Sequence, residues 1–169
     1  LQTLIDPISN KKNVSNFIRH AIYLDYMIKF LSLPKIIKQN PENISKNNNI
    51  EIEIVKYLLG NFTQNSFELD EKVKYVRTPV FQHKLIFHII VLCLILNNFK
   101  TDMSALSRSM KIDNKQMFQY CREIGCNFPG IKNEVVEDKK IKNVKNLVMQ
   151  LKAPLRVNIE REVKRYTIK

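Results

Sequence analysis

The chain has 169 residues, and 44% of them are hydrophobic, which is enough apolar surface to bury a core and excludes a wholly disordered protein. Its formal net charge is +12, from 28 lysines and arginines against 16 aspartates and glutamates, so a polyanion is the first partner to consider. The most apolar stretch, residues 84–96, is shorter than the ~18 residues that a membrane span needs, so we expect a buried core helix and no membrane partner.

The chain begins with turn-forming residues and then takes on a helical pattern. Turn-forming pairs indicate a linker over residues 1–14. Apolar side chains at three- and four-residue spacing predict a helix from Ser15 that ends before Pro34, because the residue before a proline avoids helical backbone. A short second helix is expected at 36–37, followed by a polar loop over 40–49.

The rest of the first half predicts a helix and a β-hairpin. Residues 50–62 have an apolar face, and this helix is expected to end near Gly60 and Asn61, which accept left-handed backbone. The alternating segment FELDEKVKYVRTP at 67–79 predicts a strand or hairpin. The side chains expected to face inward are Ile50, Ile54, Tyr57, Leu58 and Leu59.

The second half repeats this order of elements. A nearly all-apolar helix is predicted over 81–97, Asp102 can cap the N-terminus of a short helix, and Asp113 can cap that of a third. The third helix is expected to end at Gly125, where a left-handed capping glycine belongs. Alternation over 146–155 predicts a strand.

The sequence therefore predicts a protein that is mainly α with short β-hairpins, in the α+β class. The order of helices and hairpins in both halves is that of a winged helix, so we expect a tandem winged helix. The expected units are a linker over 1–14, a first winged helix over 15–78, a second over 79–155, and a basic C-terminal tail over 156–169.

The stretch MKIDNKQMFQYCREIGC at 110–126 contains the third helix of the second half. Spacing predicts an inner face made of Met117, Tyr120, Cys121 and Ile124. The outer face is polar and basic, and such side chains can reach phosphates or base edges from a helix in a major groove. We predict that this helix approaches DNA through Lys111, Lys115, Gln116, Gln119 and Arg122. The alternative is a solvated face without a partner, in which Arg122 and Glu123 bridge to a neighbouring helix.

Positive charge is concentrated in the second half. Up to Thr78 the chain has 11 basic and 8 acidic residues, and after it 17 basic and 8 acidic. The corresponding helix of the first half carries more acid than base, so the first unit is expected to contact protein. Where the second wing is expected, five lysines are predicted to attract DNA without sequence preference, namely Lys132, Lys139, Lys140, Lys142 and Lys145. An ordinary solvated loop is the alternative, because acidic residues lie among these lysines.

No set of residues predicts catalysis, a cofactor or a metal site. The three histidines lack a second ligand at metal spacing, and packing roles are expected for them. Cys93 and Cys121 are expected to be buried and inert, whereas Cys126 follows the capping glycine and is expected to be partly exposed. The chain has no phosphate-binding glycine loop. We therefore expect a protein that is not an enzyme and binds no cofactor.

Residues 82–126 resemble the C-terminal region of the forty-nine-kilodalton subunit of RNA polymerase I. In that family a helix of the form KLxxHIxxLxLxxxxF precedes a short helix, and a third helix ends in xYxRELGC or close to it. The upstream AIYLDYMIKFL is similar to the family's first helix, and the resemblance covers roughly residues 17–155. The matching residues in the most similar segment are Lys84, Leu85, His88, Ile89, Leu92, Leu94, Phe99, Tyr120, Arg122, Glu123, Gly125 and Cys126.

The resemblance implies a tandem winged helix similar to that of the TFIIE β subunit, which binds double-stranded DNA near the polymerase cleft. It implies a non-catalytic module that docks on the large subunits of RNA polymerase I and supports initiation and elongation of rRNA transcription, in the nucleus and its nucleolus. The family's dimerisation module has no counterpart in these residues, so a TFIIF-like partner subunit is expected only through a module not present here. A protein-only winged-helix adaptor and a TFIIE-like general transcription factor are the alternatives.

Overall fold

The structure is a computed structural model that describes residues 7–67, 73–129 and 148–152. In these ranges the chain is mainly helical, with short strands that pair antiparallel, and this confirms the predicted α+β class. The elements in chain order are α1 (Pro7–Leu31), β1 (Ile36–Ile37), α2 (Pro41–Asn48), α3 (Ile52–Phe62), β2 (Gln64–Phe67), β3 (Val73–Val76), α4 (Pro79–Leu96), β4 (Lys100–Asp102), α5 (Met103–Met110), α6 (Asn114–Ile124) and β5 (Val148–Gln150).

Each half of the chain has a helix, a short strand, two further helices and a return strand. In the first half, β3 lies between β1 and β2, so the short strand after the first helix pairs with the far arm of the hairpin. In the second half, β4 occupies the equivalent place after α4 and pairs with β5. An isolated bridge between Asn127 and Gln150 extends this small sheet. The strand or hairpin predicted over 67–79 is a hairpin that starts earlier, with its strands at Gln64–Phe67 and Val73–Val76. The strand predicted over 146–155 is present with shorter bounds, at Val148–Gln150.

The turn between the second and third helices is built in the same way in both halves. In the first, the Ser45 hydroxyl donates to the Ile50 carbonyl at 2.7 Å, and Asn49 between them has a φ of 50°. In the second, Ser107 hydrogen-bonds the Ile112 carbonyl in the same sense, and Lys111 has a φ of 54°. Each residue of the second turn lies the same number of positions after its equivalent in the first turn. The two halves therefore share the same turn structure although their sequences differ.

The first helix starts earlier than the sequence predicted. The helix α1 begins at Pro7, within the segment that was expected to be a linker, instead of at Ser15. Proline suits the first turn of a helix, since the amide hydrogen that it lacks has no helical acceptor there. The turn-forming composition of residues 1–14 was therefore a misleading signal for the part from Pro7 onward.

The short helix predicted at 36–37 is wrong, because these residues form β1. Ile36 pairs with Val76 and Ile37 with Tyr75 in the antiparallel register. Ile37 is buried, whereas Ile36 points to solvent. A two-residue strand is stabilised by its distant partner, so no local pattern in the sequence distinguishes it from a helical turn.

The end of α3 also differs from the prediction. The helix continues through Gly60 to Phe62, and Thr63 caps it with extended backbone while its hydroxyl donates to the Leu59 carbonyl at 2.6 Å. Four side chains on this helix are buried, namely Val55, Leu58, Leu59 and Phe62. The prediction that Tyr57 faces inward is wrong, since its side chain is 59% exposed.

The helix α4 is the central element of the core. It is longer than the apolar stretch noted in the sequence, and with 18 residues and a mean hydropathy of 1.9 it is long and apolar enough to cross a membrane. Six of its side chains are buried against the rest of the protein: Leu85, Ile86, Ile89, Ile90, Cys93 and Leu94. It packs against α1, α3 and α6, which is the arrangement of a buried core helix and agrees with the prediction for this stretch.

Candidate nucleic-acid interface

The helix α6 is fixed at both ends by caps that the sequence predicted. The Asp113 carboxylate accepts a hydrogen bond from the Lys115 amide at 3.1 Å. At the other end Gly125 has a φ of 93°, a conformation that favours glycine, and its amide donates to the Arg122 carbonyl at 2.9 Å. The helix therefore begins and ends at defined residues, which fixes the direction of its side chains.

The inner face of α6 is packed into the core. Met117 and Cys121 are fully buried, as predicted, but the third buried residue is Phe118. Tyr120 and Ile124, which were predicted to be inside, are only partly buried. The Phe118 ring packs on Phe128 with centroids 4.3 Å apart, and this partner lies beyond the helix, where a three- or four-residue spacing does not detect it.

The outer face of α6 carries polar and charged side chains. Gln116, Gln119, Arg122 and Glu123 are exposed, and Lys115 is half-buried near the first turn. The Arg122 guanidinium lies 6.0 Å above the Phe118 ring, and the residue stays exposed to solvent. All of the predicted contact residues within α6 therefore lie on or beside one accessible face.

Tyr120 sits between this face and α4. Its ring meets the His83 ring edge to face at 5.4 Å and the Phe87 ring at 5.7 Å. Burial, with a smaller contribution from the nearby Glu123 carboxylate, raises the pKa of Tyr120. The hydroxyl is therefore neutral at physiological pH, and the ring anchors α6 to α4.

Lys111 precedes α6 and lies at the edge of a cleft. Its backbone is left-handed, and its amide caps α5 by donating to the Ser107 and Arg108 carbonyls. The cleft, with a volume of about 430 Å³, lies between α1, the first turn of α4 and the turn from α5 to α6. Lys29 and Gln82 also line it. No spacing in the sequence relates these two residues to Lys111, because only the packing of α1 against α4 and α5 brings them near it.

The five lysines predicted for the second wing lie outside the described residues. They are Lys132, Lys139, Lys140, Lys142 and Lys145. The described residues of the candidate interface are therefore those on α6 and Lys111 before it.

The corresponding helix of the first half has a different surface. On α3 the Lys56 ammonium lies 3.0 Å from the Glu53 carboxylate, and both side chains are exposed. This pairing cancels the positive charge locally, and Glu51 adds a further negative charge beside it. The charges on α3 therefore make this helix less suited than α6 to bind phosphate.

The cysteines offer no reactive thiol in the described residues. Cys93, Cys121 and Cys126 are all buried, so the prediction that Cys126 is partly exposed is wrong. Its backbone amide bonds the Cys121 carbonyl at 2.9 Å, which turns the chain inward directly after Gly125. Burial raises the pKa of each thiol, that of Cys126 to about 11, so all three are protonated and unreactive at neutral pH.

None of the three histidines is buried in the core, and His83 and His88 contact aromatic rings at its edge. His20, His83 and His88 are exposed, and the His88 ring meets the Phe62 ring edge to face at 5.2 Å. Within residues 7–67, 73–129 and 148–152, no three histidine, cysteine or carboxylate side chains are close enough to hold a metal ion.

These features define a class of small basic α+β protein in which a firmly capped helix presents a polar and positively charged face above a buried apolar one. Within this class the family is shown by comparison, since residues 2–158 match the family described as A49-like RNA polymerase I associated factor, and the chain belongs to that family. A search of curated proteins found no match. Membership makes the chain a factor associated with RNA polymerase I and implies an accessory role in transcription in the nucleus.

The residues that carried the family resemblance connect the elements of the fold. Lys84 donates to the Asn61 carbonyl at 3.1 Å and lies 5.4 Å over the Phe62 ring, and His88 contacts the same ring. Leu85 follows Lys84 and Ile89 follows His88 on α4, and both are fully buried. The motif on α4 therefore joins the end of α3 to the central helix.

Proposed function

We propose that this protein is a tandem winged-helix module of RNA polymerase I that binds double-stranded DNA through α6, largely without sequence preference, and supports initiation and elongation of rRNA transcription. The proposal rests mainly on the exposed polar and basic face of α6, which lies above the buried side chains of Met117, Phe118 and Cys121. Rigid support of this kind lets side chains meet phosphates without ordering the helix at the moment of binding.

The order of elements supports the winged-helix part of this proposal. Each half has a strand after its first helix, and that strand pairs with the return strand that follows the third helix. In such a unit the third helix is the one that enters the major groove. In the second half this helix is α6.

The mechanism that we propose is electrostatic positioning. Lysine and arginine side chains on one face neutralise phosphates and release counterions, which gives affinity that falls steeply with salt. Gln116 and Gln119 can donate to phosphate or sugar oxygens between these cations. Sequence choice then falls to the polymerase and its other factors.

The test is the affinity of the whole chain for a nonspecific DNA duplex across a series of KCl concentrations. Each phosphate contact contributes about 0.9 to the slope of log affinity against log salt. We expect Lys115→Glu with Arg122→Glu to lower the affinity at least tenfold at low salt and to reduce the slope by about two. The matched control is Lys46→Glu with Lys56→Glu, which changes the net charge equally on α2 and α3. Equal affinity of the two double variants would reject α6 as the DNA-binding element.

A protein-only adaptor is the second candidate, and the surface of α1 favours it. Four apolar side chains at helical spacing on α1 are about half exposed: Val14, Phe17, Ile18 and Ile22. A stripe of this kind is suited to an apolar groove on another protein. Replacing Phe17 and Ile18 with serine distinguishes the two candidates. If the protein is an adaptor, this variant loses binding to RNA polymerase I. DNA affinity is then weak and independent of salt in the unmodified chain and in every variant.

A further inference from the structure

The cleft between the two halves has the features of a phosphate site. Among the described residues that line it are two lysines, Lys29 and Lys111, and no carboxylate. Its volume of about 430 Å³ falls in the range of about 300–1,000 Å³ that small-ligand sites occupy. We propose that this cleft holds a backbone phosphodiester of the same DNA that lies along α6, so that the DNA path crosses the junction of the two halves. This inference rests on the proposed function and adds a contact to it.

The backbone at Lys111 is the first observation that favours a role for its side chain. Left-handed backbone disfavours any residue with a β-carbon except asparagine and aspartate, which tolerate it. The equivalent position in the first half is occupied by Asn49, and the C-terminus of α6 has Gly125. Folding alone therefore favours asparagine or glycine at 111, and a lysine there points to a function of the ammonium group.

The hydrogen-bond donors that are available in the cleft are few and well defined. The Ser32 hydroxyl already donates to the Lys29 carbonyl at 2.6 Å, and the Ser109 hydroxyl to the Ala105 carbonyl at 3.1 Å. The donors left for a phosphate are the two lysine ammonium groups and the Gln82 amide. Two cations and one amide suit the oxygens of a phosphodiester.

Lys29 has an ion-pair partner, but this pair does not compete strongly with a phosphate. Its ammonium lies 2.8 Å from the Asp25 carboxylate, four residues earlier on α1, and both side chains are more than a third exposed. Exposed pairs of this kind contribute little to stability, because solvent screens them and both side chains must be ordered. Lys29 can therefore turn from Asp25 to a phosphate at small cost.

The negative end of α1 would oppose an anion in the cleft if it were uncovered. The last carbonyls of a helix carry partial negative charge, and Leu31 and Ser32 line this site. The buried Arg77 guanidinium covers that end, with donor distances of 3.0 Å to the Phe30 carbonyl and 2.8 Å to the Leu31 carbonyl. Its positive charge offsets the partial negative charge of these carbonyls, so the end of α1 does not oppose an anion in the cleft.

DNA is favoured over an acidic peptide because the cleft adjoins α6. Lys111 belongs both to the cleft wall and to the turn that leads into the Asp113 cap. A phosphate bound at Lys111 is therefore close to one bound at the first turn of α6. Successive phosphates of one DNA strand can therefore bind at the two places.

The experiment compares the whole chain with the double variant Lys29→Gln, Lys111→Gln in duplex binding across a KCl series. The matched control is Lys46→Gln with Lys56→Gln, which also removes one ion-paired lysine and one other lysine, but outside the cleft. Thermal unfolding of each variant checks that the fold is kept. We expect the cleft variant to reduce the salt slope by about one and the affinity about threefold to tenfold at low salt, and the control to change neither.

Three outcomes overturn the inference, and they are distinct from failure of the proposed function. If the cleft variant matches the control while the α6 variant loses affinity, DNA binds along α6 alone. If the cleft variant keeps its DNA affinity but loses binding to RNA polymerase I, the ligand is an acidic protein segment. If inorganic phosphate shifts the Lys111 and Gln82 NMR signals but duplex DNA does not, the site takes a free anion. Salt-independent duplex binding by the unmodified chain would instead reject the proposed function itself.

Discussion

The Arg77 guanidinium stacks over the Phe30 ring at 5.2 Å and donates to the Phe30 carbonyl at 3.0 Å. The same group also bonds the carbonyls of Leu31 at 2.8 Å and Leu33 at 3.1 Å. Arg77 is 3% exposed, and burial lowers its pKa to about 10. The end of the first hairpin is therefore tied to the end of α1 immediately before the chain enters α4.

Replacing Arg77 with alanine is expected to destabilise the protein by about 3 kcal/mol, because it removes three charged hydrogen bonds to the carbonyls at the end of α1. Arg77→Lys is expected to recover part of this loss, since one ammonium cannot reach all three acceptors. Urea unfolding measures both changes. The control is Arg19→Ala on the exposed part of α1. A loss for Arg77→Ala no larger than that of this control would contradict a capping role.

The contrast between Arg77 and the helix caps explains how far the sequence can predict this fold. Asp102, Asp113 and Gly125 act on residues within one turn of themselves, so a local pattern identifies each of them. Arg77 acts on carbonyls more than forty residues earlier, and nothing near it in the sequence distinguishes it from a surface arginine. The two-residue strand β1 escaped prediction for the same reason.

The contact between Cys121 and Met149 holds β5 to α6. The two sulfur atoms are 3.3 Å apart, both side chains are fully buried, and Met149 pairs with Thr101 across the small sheet. We expect Met149→Ala to lower the free energy of unfolding by about 2–4 kcal/mol, as for other buried methionines. It is also expected to speed hydrogen exchange in β4. Calorimetry and hydrogen exchange measure these effects, and the neighbouring Gln150→Ala is the control. Unchanged exchange in β4 would show that the strand pair does not depend on Met149.

The candidate interface was predictable only in part, and the two parts differ physically. The outer face of α6 follows from helical periodicity, so Gln116, Gln119 and Arg122 could be placed from spacing alone. The cleft depends on three helices that meet after folding, and Lys29 has no relation to Lys111 in the sequence. Sites made by tertiary packing leave no spacing pattern.

Replacing Lys111 with glycine is expected to stabilise the fold by about 1 kcal/mol, because glycine adopts left-handed backbone without steric strain. The same change removes a cleft cation, so DNA affinity is expected to fall while stability rises. Thermal unfolding measures the rise in stability, and duplex binding measures the fall in DNA affinity. Gly125→Ala is the comparison, since its φ of 93° predicts a loss of stability. A loss of stability in Lys111→Gly would indicate that the lysine side chain supports the fold.

Burial of Cys126 predicts a decline of stability at alkaline pH. Its pKa is raised from 9.0 to about 11 in the folded protein. Below pH 9 the thiol is protonated in both the folded and the unfolded state, so its full contribution is present. Between pH 9 and 11 the unfolded chain releases this proton while the folded protein keeps it, and stability falls by up to about 1.4 kcal/mol per pH unit.

The variant Cys126→Ala lacks this titration, so the stability advantage of the unmodified chain over the variant is expected to shrink as pH rises from 9 to 11. Urea unfolding in a reducing buffer at several pH values measures this difference. Val55→Ala, which removes bulk from the core but no titrating group, is the control and should show a constant difference. If the stability difference between the unmodified chain and Cys126→Ala is also constant with pH, the thiol titrates as an exposed one. That result would agree with the partly exposed cysteine that the sequence predicted after Gly125.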